Sequence, residues 1–346
     1  MADRRSVFIT GANGYIGSAV GQAFLRAGWH VYGLVRRPEA AQELSRDEIV
    51  PILGTLNDLS CLDQLYQHTK TIDVIVGATE TYPGYAAHYH EAMTLVRALA
   101  KTSNDHGVRP LVLWTSGCKD YGVTDVDGAP GLAPHTEESP VKPSLEFLNQ
   151  RATSCTKVFD NKDLFDGVVL RPTNVYGYGS SHFGAWFEVA AGLKATGDTL
   201  RLTISPLSIM HAMHVDDCGE AYVALAEHPK RSEIGGQAFN ISSHAYETTR
   251  QVWSALEKDY GIEGQVQFVD PGDAGEQTPT SMALIFGYSQ WVGSDKIRRV
   301  TGWTDKRMLF AENISVYHRA YEAAVSAKKD DVGKAEALKQ FLNKLT

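Results

Sequence analysis

Three glycines near the N-terminus are the residues of this chain whose type and spacing point most directly to chemistry. Gly11, Gly14 and Gly17 interrupt the apolar run 7–17, Val-Phe-Ile-Thr-Gly-Ala-Asn-Gly-Tyr-Ile-Gly. A strand, a tight glycine turn and a helix start leave free backbone N–H groups and the positive end of a helix dipole facing an anion. The spacing G-x-x-G-x-x-G is a variant of the usual fingerprint, and an ordinary glycine-rich turn is the plainer alternative. We predict a pyrophosphate site, because the turn lies between an apolar strand and an apolar helix.

The composition is that of an ordinary globular protein. The chain has 346 residues, of which 43% are hydrophobic and 21% charged, and its net charge is −8. This charge gives no electrostatic reason to expect nucleic acid, and no run approaches the roughly eighteen apolar residues that span a membrane. Residues 1–5 lead directly into a predicted strand, which leaves no room for a secretory signal. We therefore expect a small-molecule partner, with no nucleic acid and no membrane.

The cysteines favour a reducing compartment. They are scattered along the chain without a C-x-x-C pair, as Cys61, Cys118, Cys155 and Cys218. Buried free thiols are the expected state of such cysteines, and a metal or disulfide role is the alternative. A cytoplasmic location follows as a prediction.

Strand-like and helix-like segments alternate through the first half of the chain. After the first strand, predicted strands cover 30–35, 49–53, 72–78, 110–116, 167–171 and 235–241, and predicted helices cover 15–27, 38–45, 60–68, 86–104 and 144–161. Such alternation is typical of an α/β fold with helices on both faces of a doubly wound parallel sheet. The polar loop 117–143 is long enough to suggest an active-site loop. The basic tail 328–344 is interpreted as a solvated helix face.

Four stretches in one order carry a resemblance to a known family. They are Thr10–Gly17 (TGANGYIG), Leu170–Gly177 (LRPTNVYG), Met213–Tyr222 (MHVDDCGEAY) and Ser294–Trp303 (SDKIRRVTGW). These stretches resemble the cofactor turn, the R-P-x-x-V-Y-G segment, the H-V-D-D-x-x-x-A-Y helix start and the S-x-K-x-x-x-x-x-G-W segment of the extended short-chain dehydrogenase/reductase family, of the nucleotide-sugar epimerase and dihydroflavonol reductase type. The resemblance covers essentially the whole chain. It implies a Rossmann-type doubly wound parallel sheet with a smaller C-terminal substrate lobe.

The alternation of elements weakens past residue 175, which indicates where the two parts divide. We assign residues 1–175 and about 214–245 to a dinucleotide-binding domain, because the strand at 235–241 returns to the sheet. Residues about 176–213 and 246–346 are assigned to the substrate lobe.

The resemblance also implies which residues contact a nicotinamide dinucleotide. Segments after the third and fourth strands cover adenine and ribose in the family, and Thr55 replaces the Asp that usually touches adenine. Arg151 aligns with a lysine that holds the nicotinamide ribose, and its N–H groups can do the same. The implied contacts are Gly11, Asn13, Gly14, Tyr15, Ile16, Gly17, Arg36, Arg37, Thr55, Leu56, Ala78, Thr79, Arg151, Asn174 and Val175.

Two arginines after the second predicted strand bear on the choice of cofactor. NAD-specific sites place an Asp or Glu there to accept a hydrogen bond from the ribose 2′-hydroxyl, whereas this chain has Arg36 followed by Arg37. A carboxylate would repel a 2′-phosphate, and a guanidinium can pair with it bidentately. NADP(H) is therefore favoured over NAD(H). The alternative is that both arginines are surface residues that stack on adenine.

The catalytic residues of the family are missing from their aligned positions. The family pairs a Tyr acid/base with a Lys four residues later, which lowers the pKa of the Tyr phenol. Here the aligned residues are Phe147, which has no hydroxyl, and Arg151, which cannot be a base. The family's hydroxyl after the fifth strand falls on Gly117, with Thr115 and Ser116 just upstream. Ser116 is the best candidate to hydrogen-bond a substrate carbonyl, and a satisfied strand-end serine is the alternative.

Any acid must then come from another segment. Candidate side chains border the substrate cleft of the family or lie near its strand ends, and they are Tyr82, Tyr85, His88, His90, Lys119, Tyr121 and Tyr176. The sequence does not rank them, and each has a structural role as its plainer alternative. The predicted catalytic set is Ser116, Thr115, Arg151 and Tyr121.

Two further polar clusters are interpreted as structural. Asp216 and Asp217 could form a carboxylate pair for acid–base catalysis. The resemblance instead implies that they lie at a helix start, as a cap and a loop anchor. His211 and His214 lie three residues apart without a third ligand at suitable spacing, so no metal site is predicted.

Three functions remain open. The first is an NADP(H)-dependent oxidoreductase or epimerase of a small, hydrophobic carbonyl or carbinol, with an atypical active site that lacks the Tyr-x-x-x-Lys pair. The second is a non-redox isomerase, lyase or cyclase, and the third is a catalytically inactive NADP(H)-binding sensor. The aromatic and apolar residues Phe183, Trp186, Phe187 and Met210 suit a hydrophobic substrate, with core packing as the alternative.

A homodimer is a possible partner arrangement. Family dimers often form a four-helix bundle from the helices predicted at 86–104 and 144–161. The second helix keeps apolar positions for such a contact, namely Leu145, Leu148, Ala152, Cys155 and Phe159.

Overall fold

The computed structural model describes residues 5–179, 181–270, 278 and 280–327, so the basic tail at 328–344 lies outside the described residues. The strands are β1 (Ser6–Thr10), β2 (His30–Val35), β3 (Val50–Leu53), β4 (Val74–Gly77), β5 (Leu111–Thr115), β6 (Asp166–Pro172), β7 (Asn174–Tyr176), β8 (Leu200–Leu202), β9 (Ile209–Met210), β10 (Ala212–His214), β11 (Gln237–Ile241), β12 (Glu247–Thr248) and β13 (Val266–Phe268). The α-helices are α1 (Tyr15–Arg26), α2 (Pro38–Arg46), α3 (Cys61–Tyr66), α4 (Tyr85–Asp105), α5 (Asn149–Cys155), α6 (Gly184–Thr196), α7 (Val215–Ala226), α8 (Thr249–Tyr260), α9 (Thr280–Phe286), α10 (Asp295–Thr301) and α11 (Ile314–Ser326).

Seven parallel strands form the central sheet, in the order β3-β2-β1-β4-β5-β6-β11. Alternate residues of a strand face opposite sides, so Val7 and Ile9 of β1 pack under α1, α2, α7 and α10, while Phe8 packs under α3, α4 and α5. The predicted α/β, doubly wound parallel sheet is therefore confirmed. Strand order reverses between β1 and β4, where the carboxyl ends of the strands open a crevice.

A third apolar core lies in the C-terminal half of the chain. Trp186 and Phe187 of α6, Trp253 of α8 and Phe310 are fully buried there, and the ring centroids of the two tryptophans are 5.1 Å apart. Three two-stranded sheets accompany these helices, β7 with β10, β9 with β12 and β8 with β13. The predicted division into a dinucleotide-binding domain and a substrate lobe stays a prediction, and this separate core favours it.

The single helix predicted over 144–161 is wrong. The α-helix covers only Asn149–Cys155, and 3-10 turns at Glu146–Leu148 and Thr156–Asn161 flank it. Polar side chains compete for the backbone carbonyls in this segment. Thr153 Oγ1 donates to the carbonyl of Asn149, and Thr156 Oγ1 donates to the carbonyl of Thr153. The regular apolar spacing of the segment therefore overstated the length of the helix.

The apolar positions of this segment face the core of the chain itself. Leu148, Ala152 and Cys155 are at most 3% exposed, and the exposed side of α5 carries Gln150 and Thr153. The apolar face that made a homodimer plausible is thus already used inside the chain. Among the described helices, none is both long and apolar enough to cross a membrane.

Candidate functional site

The glycine turn between β1 and α1 is shaped for an anion. Gly11 has a φ of +70°, and a Cβ there would lie 2.7 Å from the carbonyl oxygen of Ala78. A Cβ at Gly17 would lie 2.1 Å from the carbonyl oxygen of Gly11, so only glycine lets the helix start press on the turn. Gly14 is the N-cap of α1 and offers no side-chain hydrogen bond to the first helical N–H groups. Those groups and the helix dipole fit the pyrophosphate of a dinucleotide.

A cleft of about 380 Å³ extends from the first residues of α1 along the carboxyl ends of the strands to the C-terminal lobe. It brings together nine of the predicted site residues: Tyr15, Ile16, Ala78, Thr79, Thr115, Ser116, Arg151, Asn174 and Val175. The other nine do not line it, namely Gly11, Asn13, Gly14, Gly17, Arg36, Arg37, Thr55, Leu56 and Tyr121. Arg36 and Arg37 are exposed just after β2, and Thr55 Oγ1 donates to Asn57 Oδ1.

Arg151 is buried at the cleft wall and paired with two carboxylates. Its Nε and Nη2 donate to Asp120 Oδ1 at 3.1 and 2.8 Å, and Nη1 lies 3.4 Å from Glu80 Oε2. Burial alone would lower the pKa of Arg151, but the charges of Asp120 and Glu80 and the hydrogen bonds to Asp120 contribute to a net rise, so the guanidinium stays charged. A Cβ on Gly117 would lie 3.0 Å from Nη2. The guanidinium therefore occupies the space beside Gly117 into which a hydroxyl-bearing side chain would project.

Asp120 also determines what Ser116 can do. The hydroxyl of Ser116 donates to Asp120 Oδ2, whose distance to Arg171 Nε is 3.7 Å. With its proton engaged, Ser116 presents only lone pairs to the cleft and does not donate to a substrate carbonyl in this arrangement. Thr115 shares a 2.7 Å hydrogen bond with the hydroxyl of Tyr222. The two predicted hydroxyls are thus at the cleft, and both are already hydrogen-bonded.

Tyr121 lies outside the cleft, contrary to its predicted place in the catalytic set. Its hydroxyl donates to Asn240 Oδ1 at 2.8 Å and accepts from Arg171 Nη1 at 2.9 Å. Burial raises the pKa of the Tyr121 phenol, which opposes proton release. The side chain stabilises the segment after β5 and takes no part in the site, so we remove it from the catalytic set.

Most of the other acid candidates are also committed elsewhere. The hydroxyl of Tyr176 donates to the carbonyl of Met308, and Tyr85 is fully buried with its hydroxyl 3.1 Å from Cys155 Sγ. His88 shares a hydrogen bond with Thr79, and His90 is exposed on α4.

Two candidates remain at the cleft, Tyr82 and Lys119. The ring of Tyr82 meets Phe147 edge to face at 5.3 Å, so a phenol lies beside the phenyl at the position predicted for the family's tyrosine. Its hydroxyl donates to Glu80 Oε2, and burial raises its pKa. Lys119 Nζ donates to Asn174 Oδ1 at 3.1 Å and lies 4.5 Å from the centre of the Tyr288 ring. Burial and the charge of Arg151 lower the pKa of Lys119 to about 8.

The two other polar clusters have structural partners. His214 Nδ1 accepts from the backbone N–H of Asp216, so this histidine caps α7, where an aspartate cap was expected. Asp217 accepts from the backbone N–H groups of Lys306 and Arg307, which is the expected loop anchor. His211 bonds to the Ser243 carbonyl. No group of three or more metal-ligating side chains occurs in the part of the chain that the structure describes.

Several residues of the candidate site were not predicted from the sequence. Asp120 and Glu80 neutralise Arg151, while Leu284, Ile285 and Gln290 reach the cleft from the distant lobe. Arg151 at a predicted lysine position and Gly117 at a predicted hydroxyl position together indicate that the arginine has a carboxylate partner. They do not indicate which Asp or Glu of the sequence that partner is.

Comparisons with known proteins agree with this architecture. A sequence profile described as the NAD dependent epimerase/dehydratase family matches residues 7–242. A Mycolicibacterium smegmatis UDP-glucose 4-epimerase is 25% identical over 280 residues, which cover 76% of this chain and 85% of that protein. An uncharacterised Schizosaccharomyces pombe protein is 46% identical over 56 residues, only 16% of this chain and 19% of its own length. The crystal structure of a Bacillus anthracis dTDP-glucose 4,6-dehydratase in complex with NAD superposes with a TM-score of 0.70 at 15% identity, covering 92% of this chain and 97% of that one.

Proposed function

The chain belongs to the NAD dependent epimerase/dehydratase family, and we propose that it is an NADP(H)-dependent oxidoreductase or epimerase of a small, hydrophobic carbonyl or carbinol. One observation supports this more than any other. A single cleft joins the start of α1, where a dinucleotide would bind, to the two cations Lys119 and Arg151 and to an apolar end. The cofactor, a proton-transferring side chain and the substrate would therefore share one space.

The chain's own residues divide the work of holding the dinucleotide. The glycine turn and the first N–H groups of α1 would bind the pyrophosphate, and Asn174 and Val175 would border the nicotinamide. Arg151 would donate N–H groups to the ribose hydroxyls from the cleft wall. When bound, the dinucleotide supplies the hydride chemistry of the reaction.

The preference for NADP(H) is carried by Arg36 and Arg37. Both follow β2, and both are exposed where the 2′ position of the adenine ribose is held in such folds. A charge-assisted hydrogen bond contributes about 1.5–3 kcal/mol. Arg36→Ala should therefore weaken NADPH binding by roughly 10- to 100-fold and leave NADH binding unchanged, as measured by nicotinamide fluorescence titration.

Arg46→Ala is the matched control for this titration, because Arg46 is an exposed arginine at the far end of α2, the helix that follows Arg36 and Arg37. It should change neither affinity. Equal losses of NADPH and NADH affinity in Arg36→Ala, or tighter binding of NADH by the unmodified protein, would contradict the NADP(H) preference.

The apolar end of the cleft supports a hydrophobic substrate. Leu145, Phe147, Phe183, Leu284 and Ile285 line it. Of the four residues that the sequence suggested, only Phe183 contributes. Trp186, Phe187 and Met210 do not line the cleft and belong to the third core.

The test of the proposed function separates binding from turnover. Full-length protein should bind NADPH in a fluorescence titration and consume it, followed by absorbance, with members of a panel of small aromatic and aliphatic ketones and aldehydes. Absence of NADPH binding would contradict the proposal at its first step, and binding without consumption across the panel would contradict the redox step alone.

A second function is favoured by the space beside Gly117. Because the guanidinium of Arg151 fills it, the cleft also suits a catalytically inactive NADP(H)-binding sensor. NADPH binding with no consumption would support this sensor. Turnover by cofactor-free protein would instead support a non-redox isomerase, lyase or cyclase.

We also propose that the protein works in a reducing compartment, the cytoplasm. All four cysteines are buried free thiols, which is the expected state in such a compartment.

A further inference from the structure

Lys119 stands out among the charged groups of the cleft. It extends from the segment after β5, and its ammonium contacts only an amide oxygen and an aromatic face, with no carboxylate partner among the described residues. Arg151, the other cation at the cleft wall, is held by Asp120 and Glu80. Of these two cations, the ammonium of Lys119 is therefore the one that is available to a ligand.

We propose that Lys119 is the proton donor and acceptor at the substrate oxygen, in place of the phenol that Phe147 lacks. This inference rests on the proposed function, since it names the acid of the same site. It differs from an anion-binding role, because it requires that Nζ lose and regain a proton during turnover.

The position of Lys119 fits this role. Asn174, which accepts the hydrogen bond from Nζ, is the first residue of β7 and belongs to the part assigned to the dinucleotide. Tyr288, over whose ring Nζ lies at 4.5 Å, belongs to the C-terminal lobe. Lys119 therefore stands between the part that would hold the cofactor and the part that would hold the substrate.

Within the part of the chain that the structure describes, no group that faces Lys119 compensates the charge of its ammonium. Burial opposes that charge and Arg151 of α5 repels it, so the pKa of Lys119 falls to about 8. Cys118 faces it as a neutral thiol, because burial raises the pKa of that thiol and its Sγ donates to the carbonyl of Arg171. His182 is neutral, because desolvation by the cleft walls lowers the pKa of its imidazole. Tyr288 is neutral as well, since burial raises the pKa of its phenol.

The neighbouring candidates are less suited to proton transfer at neutral pH. Arg151 stays charged, and the phenol of Tyr82 donates to Glu80 with its pKa raised by burial. A general acid transfers protons best when its pKa lies near the working pH. Of the titratable side chains that line the described cleft, Lys119 meets that condition.

The step balances in protons and electrons. In reduction, the ammonium of Lys119 gives one proton to the carbonyl oxygen, while the reduced dinucleotide named in the proposed function supplies the hydride for the carbonyl carbon. The product is a carbinol, and the lysine is left as a neutral amine that water reprotonates. In oxidation the neutral amine takes the hydroxyl proton. Reduction should therefore be fastest below pH 8 and decline as pH rises through that value, and oxidation should show the reverse.

The first test needs no substrate. Trace acylation of the full-length protein with acetic anhydride over pH 6–11, followed by peptide mass spectrometry, measures the titration midpoint of each lysine amine. The midpoint of Lys119 should lie near 8, well below the ~10.4 of a lysine in a model peptide. The exposed Lys157 is the control in the same experiment, and coinciding midpoints for the two lysines would overturn the proposal.

The second test compares two substitutions on a carbonyl that the unmodified protein reduces. Lys119→Met removes the proton and the charge, and Lys119→Arg keeps the charge but cannot release a proton at neutral pH. Both should lower kcat by roughly 10²–10⁴-fold, with NADPH affinity within about twofold of the unmodified protein. Near-normal kcat in Lys119→Arg, with the pH profile unchanged, would show that charge alone is used and would overturn the proposal.

Failure of the two proposals can be told apart. An unmodified protein that binds NADPH but reduces nothing contradicts the redox function on which Lys119's role rests. Active protein with an ordinary Lys119 midpoint, or an active Lys119→Met variant, contradicts the role of Lys119 and leaves the redox function standing.

Discussion

The two ends of the cleft differ in whether backbone groups or side chains face the ligand. At the proposed cofactor end, backbone N–H groups would do the binding, and Gly11 has a positive φ while no Cβ fits at Gly17. At the proposed catalytic end, side chains would do the work, and the sequence resemblance predicts that Gly117, Phe147 and Arg151 stand at the family's hydroxyl, phenol and lysine positions. On this account the first end keeps the family's pattern, whereas the second departs from it at three positions.

The coupling at the catalytic end has a physical cause. A buried guanidinium needs room and a carboxylate. Gly117 gives the room, since any Cβ there would lie 3.0 Å from Nη2, and Asp120 gives the charge. An arginine at position 151 therefore constrains positions 117 and 120 as well. The contrast shows that the catalytic end has to be considered as a set of contacting side chains, whereas each glycine of the turn is explained by its own backbone geometry.

The largest expected effect comes from breaking the ion pair between Asp120 and Arg151. Asp120→Asn leaves the guanidinium of Arg151, which is only 8% exposed, without its main partner. Removing one member of a buried ion pair costs about 3–5 kcal/mol of stability, measured by urea unfolding. Glu80→Gln is the control, since the Glu80 side chain is 56% exposed, and it should cost less than about 1 kcal/mol. Equal losses in the two variants would show that Asp120 does not hold Arg151.

A smaller effect should follow at the cofactor end. In Gly17→Ala the new Cβ would meet the carbonyl oxygen of Gly11, which forces the start of α1 away from the turn. Such overpacking costs about 1–3 kcal/mol, and NADPH affinity should fall roughly 10-fold or more in a fluorescence titration.

Gly192→Ala is the control for this substitution. Gly192 lies in α6, and nothing approaches a Cβ there within 4 Å. This variant should keep its NADPH affinity and gain about 0.5–1 kcal/mol of stability. Normal NADPH affinity in Gly17→Ala would mean that the turn does not bind the dinucleotide.

The smallest expected effect tests whether positions 117 and 151 interact. Gly117→Ser restores a hydroxyl but pushes against Arg151, at a cost of about 1–3 kcal/mol. In an Arg151→Lys background the slimmer ammonium leaves room, so the same serine should cost less. A double-mutant cycle measured by urea unfolding should give an interaction energy of about 0.5–3 kcal/mol. Additive losses of unfolding free energy would mean that positions 117 and 151 do not interact.

The sequence predicted the parts of the molecule that depend on local pattern. The doubly wound sheet follows from alternating apolar segments, and the turn at Gly11 follows from glycine spacing. The helix over 144–161 was overestimated, because hydrogen bonds from Thr153 and Thr156 to the backbone break its regularity. Apolar spacing alone does not record that competition.

The catalytic end was less predictable, because its partners come from distant segments. Tyr121 was placed in the site, but Arg171 and Asn240 hold its hydroxyl elsewhere. Lys119 was one unranked candidate among several. Its lowered pKa depends on burial and on the charge of Arg151, and its position depends on Asn174 and Tyr288, contacts that only the folded chain creates.

The most direct measurement is a crystal structure of the full-length protein with NADP⁺ bound. The pyrophosphate should lie against the N–H groups between Gly11 and Gly17, and Lys119 Nζ should be the titratable side-chain atom nearest to nicotinamide C4 on the substrate side. A nicotinamide that faces the Tyr82 hydroxyl and lies far from Lys119, or a dinucleotide bound away from the glycine turn, would contradict the account.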